Sequence, residues 1–118
     1  MTPFKGDYVN YVERIPLGLV IQITPWNHPL LISIKKLSCA LAAGNSVILK
    51  PSELSPVSIL RIADFLNESG LPKGVFNIIQ GYGSKIGERL CVNNYVSKID
   101  LTGGDKAGKI IGEHAGKN

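Results

Sequence analysis

Three polar side chains suited to chemistry come directly after two short apolar runs of the chain. Asn27 follows the first run, and Lys50 and Glu53 follow the second. The Asn27 amide can donate two hydrogen bonds, as a developing oxyanion requires. Lys50 can donate to a ribose or a phosphate, and the Glu53 carboxylate can accept from a pair of ribose hydroxyls. We therefore expect chemistry at these three positions.

Each of these residues also has a purely structural interpretation. Asn27 stands just ahead of a predicted helix, and its spacing alone favours a helix cap over an oxyanion donor. Lys50 and Glu53 could form a surface ion pair that contributes little to stability, and the sequence leaves both interpretations open. Trp26, beside Asn27, is of a residue type more often packed in a core than used as a ligand platform.

Two glycine-rich turns precede predicted helices further along the chain. Gly81 to Gly87 has the spacing G-x-G-x-x-x-G between a strand and a helix, where a phosphate can lie on the helix N-terminus. This spacing differs from the usual G-x-G-x-x-G fingerprint, so the motif alone is weak. In the second turn, the backbone of Thr102 to Gly104 could also approach a pyrophosphate. Two such turns in one sheet are stronger evidence than either alone.

The elements that would position these residues are strands alternating with helices. Apolar runs predict four strands, Leu19–Ile23, Ser46–Leu49, Val75–Ile79 and Val96–Leu101. Helices are predicted after each of them, from Pro29 to Gly44, from Ser55-Pro56, from Ser84 to about Val92, and to about His114. This alternation predicts the α/β class, with a Rossmann-like open parallel sheet and helices on both faces. Ligands bind such sheets at the carboxyl ends of the strands.

Three further local predictions can be compared with the structure. Tyr8–Ile15 has strand-like composition and rough alternation, which predicts an N-terminal edge strand. Ser55 is predicted to cap the second helix, with Pro56 at its first position. The first helix is predicted to bury one apolar face, made of Leu30, Ile34, Leu37 and Leu41.

Composition limits the class of protein. The chain has 118 residues, 44% of them hydrophobic and 19% charged, which predicts one globular domain with a hydrophobic core. The net charge of +4 is scattered, which favours a solvated basic surface over nucleic-acid binding. No apolar run is long enough to span a membrane, and no signal core is visible, so we expect no membrane association and a cytoplasmic location by default.

The sequence predicts neither a metal site nor a nucleophile paired with a base. Cys39 and Cys91 form no metal or redox motif, and each falls within a predicted helix, so both are expected to be buried free thiols. His28 and His114 are isolated from each other and from other ligand types.

Five segments together resemble the aldehyde dehydrogenase superfamily in their order and spacing, over about Tyr11–Asn118. They are Thr24-Pro-Trp-Asn27, Leu49-Lys-Pro-Ser-Glu53, Gly70-Leu-Pro-Lys-Gly-Val-Phe-Asn77, Gly81-Tyr-Gly83 and Leu101-Thr-Gly103. The resemblance implies a Rossmann-like dinucleotide-binding domain that binds cofactor in the family's own manner. It also implies the oxidation of aldehydes to acids with NAD(P)+. In that reaction a cysteine thiolate attacks the aldehyde, hydride passes to the nicotinamide, and a glutamate activates the water that hydrolyses the thioester.

The resemblance assigns a role to each of the polar residues. Asn27 matches the oxyanion-hole asparagine, which reverses the preference for a cap. Lys50 and Glu53 match the residues that hold the adenosine ribose, and because Glu53 would clash with a 2′-phosphate, NAD+ is expected rather than NADP+. The full set of expected cofactor-binding positions is Thr24, Pro25, Trp26, Lys50, Ser52, Glu53, Gly83, Gly87, Thr102, Gly103 and Gly104. Gly104 stands where many members have Ser, and Leu101 where Phe is common.

The resemblance further implies that residues 1–118 are part of a cofactor-binding domain, without the catalytic domain. The family's catalytic glutamate and nucleophilic cysteine lie beyond a stretch like Gly112 to Asn118, and neither Cys39 nor Cys91 matches the nucleophile. We expect a piece of an enzyme that acts on a small-molecule aldehyde, is homo-oligomeric as a whole, and does not turn over as this chain alone. A non-catalytic nucleotide-binding remnant and an inactive truncated product remain the alternatives.

Overall fold

Four strands and four helices alternate along the chain in the computed structural model, which describes Gly6 and residues 9–117. The strands are β1 (Leu19–Ile23), β2 (Ser46–Lys50), β3 (Phe76–Ile78) and β4 (Val96–Leu101). The helices are α1 (Pro29–Ala42), α2 (Val57–Glu68), α3 (Gly83–Cys91) and α4 (Asp105–Ala115). All strand pairs are parallel, in the order β3-β2-β1-β4. The predicted α/β class and parallel sheet are confirmed, and the predicted bounds differ from these by at most two residues.

The direction in which successive strands are added to the sheet reverses at β1. From β1 to β3 each new strand is added on the same side, and β4 is then added on the opposite side of β1. In an open α/β sheet such a reversal opens a crevice at the carboxyl ends of the strands, because the connections leave to opposite faces. Thr24, Lys50 and Thr102 all lie at this edge, each at the end of a different strand or just beyond it.

The two faces of β2 serve different purposes. Its alternate residues pack into a core with α1 and α2, formed by Leu37, Ala40, Val47, Leu49, Ile59 and Ile62. Because side chains alternate along a strand, Lys50 lies on the other face, where it shares a cavity with residues of α3 and α4. Full burial of Leu49 and Ile59 stabilises the fold by about 1.5–3 kcal/mol each. This core therefore anchors β2, the strand that ends at Lys50.

The predicted N-terminal edge strand is wrong where the structure describes it. Residues 9–17 form no strand, and their side chains are exposed, with Val12 92% accessible; Tyr8 lies outside the described residues. The amides of Leu17 and Gly18 donate to Asn45 Oδ1 at 2.7 and 3.1 Å, so they are not available to a sheet ladder. Pro16 has no N–H to donate. The alternating residues 9–15 pair with none of the four strands of the sheet.

The buried face of α1 is rotated relative to the prediction. Leu30 and Ile34 are 48% and 45% exposed, whereas Ser33, Leu37 and Ala40 are buried. Ser33 faces inward because its hydroxyl donates to the Thr24 hydroxyl at 3.2 Å in the interior. A buried hydroxyl that has a partner costs little, so Ser33 is tolerated on the buried face beside Leu37.

Candidate functional site

The cleft at the carboxyl ends of β1, β2 and β4 has a volume of about 490 Å³. Apart from Gly83 and Gly87, every residue predicted for the site lines it: Thr24, Pro25, Trp26, Asn27, Lys50, Ser52, Glu53, Thr102, Gly103 and Gly104. These residues come from three separate turns of the sequence. They meet because parallel strands end at the same edge of the sheet.

A second cavity of about 460 Å³ lies between the sheet, α3 and α4. Gly83 and Gly87 line it, and Ile23, Lys50 and Gly104 line both cavities, so the two adjoin. It is also lined by His114 and by Ile110 and Ile111 of α4, and the two isoleucines were not among the predicted site residues. The signal for them was available, because apolar residues at helical spacing on α4 indicate a face turned toward the sheet.

Lys50 is buried, with 4% of its surface accessible. Its Nζ donates to the carbonyl oxygen of Pro51 at 3.0 Å and lies 3.5 Å from Glu53 Oε2. The Glu53 side chain is 39% exposed and that of Lys50 only 5%, so the pair is not the exposed ion pair of the structural interpretation. An ammonium group has three donors, and one remains after these two partners. Lys50 can thus offer a hydrogen bond to a ligand in either cavity.

The turn from Thr24 to His28 holds Asn27 at the mouth of the cleft. The Thr24 amide donates to the Lys50 carbonyl at 3.1 Å, which extends the pairing of β1 and β2 by one bond. His28 occupies the N-cap position of α1 with φ 49° and ψ 45°, and it makes no side-chain capping bond. Asn27 therefore does not cap the helix, and its exposed side chain lies in the cleft wall.

His28 is the one non-glycine residue with a positive φ among the residues that the structure describes. Such a conformation costs roughly 1–3 kcal/mol and persists only where the surroundings enforce it. Here the His28 carbonyl accepts the first hydrogen bond of α1, from the Ile32 amide at 3.1 Å. The left-handed residue turns the chain sharply into α1 and leaves Asn27 outside the helix.

The turn before α3 depends on glycine. Gly81 has φ 149°, a value that side-chain-bearing residues rarely adopt. Gly83 begins the helix, and Gly87 lies buried one turn later. A Cβ added at Gly83 or Gly87 would meet no protein atom within 4 Å, so both are open positions in the wall of the second cavity.

Neither cysteine lies in the two cavities. Cys91 is buried on α3, and desolvation raises the pKa of its thiol above the usual value. Cys39 is exposed on α1, which corrects the prediction that both thiols are buried. Ala40 of α1 is buried in the core, and the neighbouring position 39 lies on the exposed side of the helix. Neither thiol therefore lines the cleft that Asn27 and Lys50 share.

The described part of the chain contains neither a metal-binding cluster nor a membrane-spanning helix. No group of three His, Cys, Asp or Glu side chains there could hold a metal ion. No helix within these residues has the length and apolar character needed to cross a membrane.

Comparison with known proteins agrees with this geometry. Residues 1–118 match the model of the Aldehyde dehydrogenase family. The chain is 42% identical over 116 residues to "Aldehyde dehydrogenase, cytosolic 1" of Rattus norvegicus and 40% identical over the same length to "Aldehyde dehydrogenase 1A1" of Homo sapiens. Each match covers 98% of this chain and 23% of the relative, so the chain spans about a quarter of the length of these proteins.

Solved structures show the same relationship. PnpE in complex with nicotinamide adenine dinucleotide matches with a TM-score of 0.94 and 44% identity, over 99% of this chain and 24% of that one. Betaine aldehyde dehydrogenase from Staphylococcus aureus in complex with NAD+ matches with a TM-score of 0.85 and 43% identity, over 87% of this chain and 20% of that one. The family suggested by the series of motifs is confirmed: this chain belongs to the aldehyde dehydrogenase family.

Proposed function

We propose that residues 1–118 are part of the cofactor-binding domain of an NAD+-dependent enzyme that oxidises an aldehyde to a carboxylic acid. The observation that carries the proposal is the meeting of Asn27, Lys50 and Glu53 in one cleft, at the point where the strand order reverses. Relatives solved with NAD+ share the fold of this chain. Such a cleft is where open α/β sheets bind dinucleotides.

The residues present fit a dinucleotide. The Lys50 ammonium keeps one donor for a ribose hydroxyl, and the nearby Glu53 carboxylate is open to solvent on the cleft side. The cavity between α3 and α4 is lined largely by apolar groups, including Ile23 and Ile110, which suits a planar adenine. α4 begins directly after Gly104, which lines both cavities, so the free amides at its N-terminus would suit a pyrophosphate.

Glu53 is also the proposed determinant of cofactor choice. A carboxylate that accepts from both ribose hydroxyls repels the charge of a 2′-phosphate at the same position. We therefore propose NAD+ rather than NADP+ as the cofactor.

Bound NAD+ supplies the hydride acceptor, and the residues of this chain bind it and stabilise charge beside it. Asn27 is the proposed oxyanion donor, because its amide is not used as a helix cap. Preorganised donors of this kind lower an activation barrier by about 3–4 kcal/mol. We propose that the nucleophilic cysteine and the general-base glutamate come from segments outside these 118 residues, since Cys39 and Cys91 lie away from the cleft.

Other features of the whole enzyme stay predictions. It is expected to act on a small-molecule aldehyde, to be a homo-oligomer and to reside in the cytoplasm. The alternative function is nucleotide binding without turnover, and the position of both thiols outside the cleft is equally consistent with it.

Calorimetry with NAD+ tests the proposal on the chain as it stands. Glu53→Ala should weaken NAD+ binding about ten- to hundredfold, because hydrogen bonds to a charged group are worth about 1.5–3 kcal/mol. Glu68→Ala is the matched control, because Glu68 is an exposed carboxylate at the end of α2, away from the cleft. The wild-type chain should also bind NAD+ more tightly than NADP+. A folded sample that binds neither NAD+ nor NADP+ would refute the proposed cofactor-binding site.

A further inference from the structure

Ser55 has a structural role that its position in the sequence does not suggest. It lies in the loop between β2 and α2, where it was predicted to cap α2. The helix instead begins at Val57 with Pro56 at the N-cap position, and no side chain caps it. The Ser55 hydroxyl donates to the carbonyl oxygen of Trp26 at 3.1 Å, across 29 positions of sequence.

The accepting carbonyl belongs to the peptide group that joins Trp26 to Asn27. Because a peptide group is planar, holding its oxygen fixes the orientation of the whole plane and therefore the start of Asn27. The ends of this turn are held elsewhere, by the Thr24 amide on Lys50 and by the first hydrogen bond of α1 at His28. Within the described residues, no other hydrogen bond holds the backbone of Trp26 or Asn27.

The donor side of this bond is itself well ordered. The Ser55 amide donates to the Ser52 carbonyl at 3.3 Å, and the Leu54 amide donates to the Ser52 hydroxyl at 3.3 Å. These two bonds close a tight turn that also carries Glu53. Ser55 therefore joins two turns of the cleft, the one that carries the ribose-binding carboxylate and the one that carries Asn27.

We propose that Ser55 is a positioning residue that sets Asn27 and Trp26 relative to Glu53 through the Trp26 carbonyl. The proposal rests on the function proposed above and deepens it. A ligand that reaches from Glu53 to Trp26 needs both turns in a fixed relation, whereas a ligand held by Lys50 and Glu53 alone does not. NAD+ is of the first kind and AMP is of the second.

The experiment compares NAD+ and AMP binding to the chain by calorimetry and by the fluorescence of Trp26, the single tryptophan. Ser55→Ala should weaken NAD+ binding about three- to tenfold, the effect of one hydrogen bond, and leave AMP binding within about twofold of wild type. The steady-state fluorescence anisotropy of Trp26 without ligand should fall. Ser55→Thr, which keeps the hydroxyl, should restore the NAD+ affinity and the anisotropy of the wild type and leave AMP binding unchanged.

Two further variants make the experiment decisive. Ser58→Ala is the matched control, since Ser58 is exposed on α2 and lines neither cavity, and it should bind both ligands as the wild type does. If Ser55→Ala does not fold, Ser55→Val replaces it. Val has nearly the shape of Thr and carries a methyl group in place of the hydroxyl that is under test.

The possible outcomes separate the two proposals. Equal losses for NAD+ and AMP in Ser55→Ala would show a general structural role and overturn the positioning role. Unchanged NAD+ binding, or a failure of Ser55→Thr to restore it, would overturn it as well. If the wild-type chain is folded and binds neither NAD+ nor AMP, this result would overturn both the proposed cofactor-binding site and the positioning role of Ser55.

Discussion

At the scale of the residue, the proposed oxyanion donor is Asn27. It is exposed at the mouth of the cleft and is not used to cap α1. In the proposed full-length enzyme, Asn27→Ala should lower kcat about 10²- to 10³-fold, because one oxyanion donor is lost. NAD+ affinity should change little, since Asn27 stabilises charge that develops only during the reaction. Steady-state kinetics beside calorimetry measures both, and a loss confined to NAD+ affinity would contradict the oxyanion role.

The two thiols provide a second prediction at this scale. Burial raises the pKa of the Cys91 thiol, so at neutral pH a smaller fraction of it is thiolate than for a free cysteine. The same burial keeps a thiol reagent from reaching its sulfur. Cys39 is exposed. In the native chain, a maleimide or Ellman's reagent should modify Cys39 rapidly and Cys91 only on unfolding or at higher pH. Mass spectrometry of the labelled peptides identifies the site, with Cys39→Ser as the control; rapid labelling of Cys91 in that variant would contradict its burial.

At the scale of the element, the turn between β3 and α3 depends on the conformation of Gly81. With φ 149°, an added Cβ is strained, and it would also lie 3.3 Å from Ile86 Cδ1. Gly81→Ala should therefore lower the free energy of unfolding by about 1–3 kcal/mol. Gly112→Ala is the matched substitution, because Gly112 lies within α4 where a Cβ meets nothing within 4 Å. It should stabilise the chain by about 0.5–1 kcal/mol.

Chemical denaturation of both glycine variants measures these opposite effects. The comparison separates the effect of the site from that of the added methyl group, since the same methyl group is added in each case. A Gly81→Ala variant as stable as the wild type would contradict the conformation found for this turn.

At the scale of the whole molecule, the surface of the chain is rich in large apolar side chains. On α1, Leu30, Leu31 and Ile34 line a surface depression together with His28 and Pro29, and Leu31 is 66% exposed. Phe65 of α2 is 60% exposed. Apolar surface of this extent favours association. Sedimentation velocity should show self-association of the chain that increases with concentration, and Leu31→Lys should reduce it. A chain that stays monomeric at every concentration, with unchanged sedimentation in the variant, would contradict the prediction.

The sequence by itself determined the elements and the members of the cleft. Apolar runs interrupted by proline and glycine located the four strands, because these residues act on the backbone locally. The meeting of Asn27 with Lys50 and Glu53 followed from one further rule, that parallel strands end at the same edge of the sheet. The series of motifs identified the family, which the comparisons confirmed.

Only the tertiary structure decided which bonds the polar side chains form. Ser55 had the sequence of a helix cap, but its hydroxyl donates to Trp26 because β1 and β2 lie side by side. Asn45 accepts from the amides of Leu17 and Gly18. The Ser33 hydroxyl finds its partner, Thr24, on the buried side of α1. Each of these bonds joins positions brought together by the packing of the sheet and helices, so local patterns in the sequence cannot specify them.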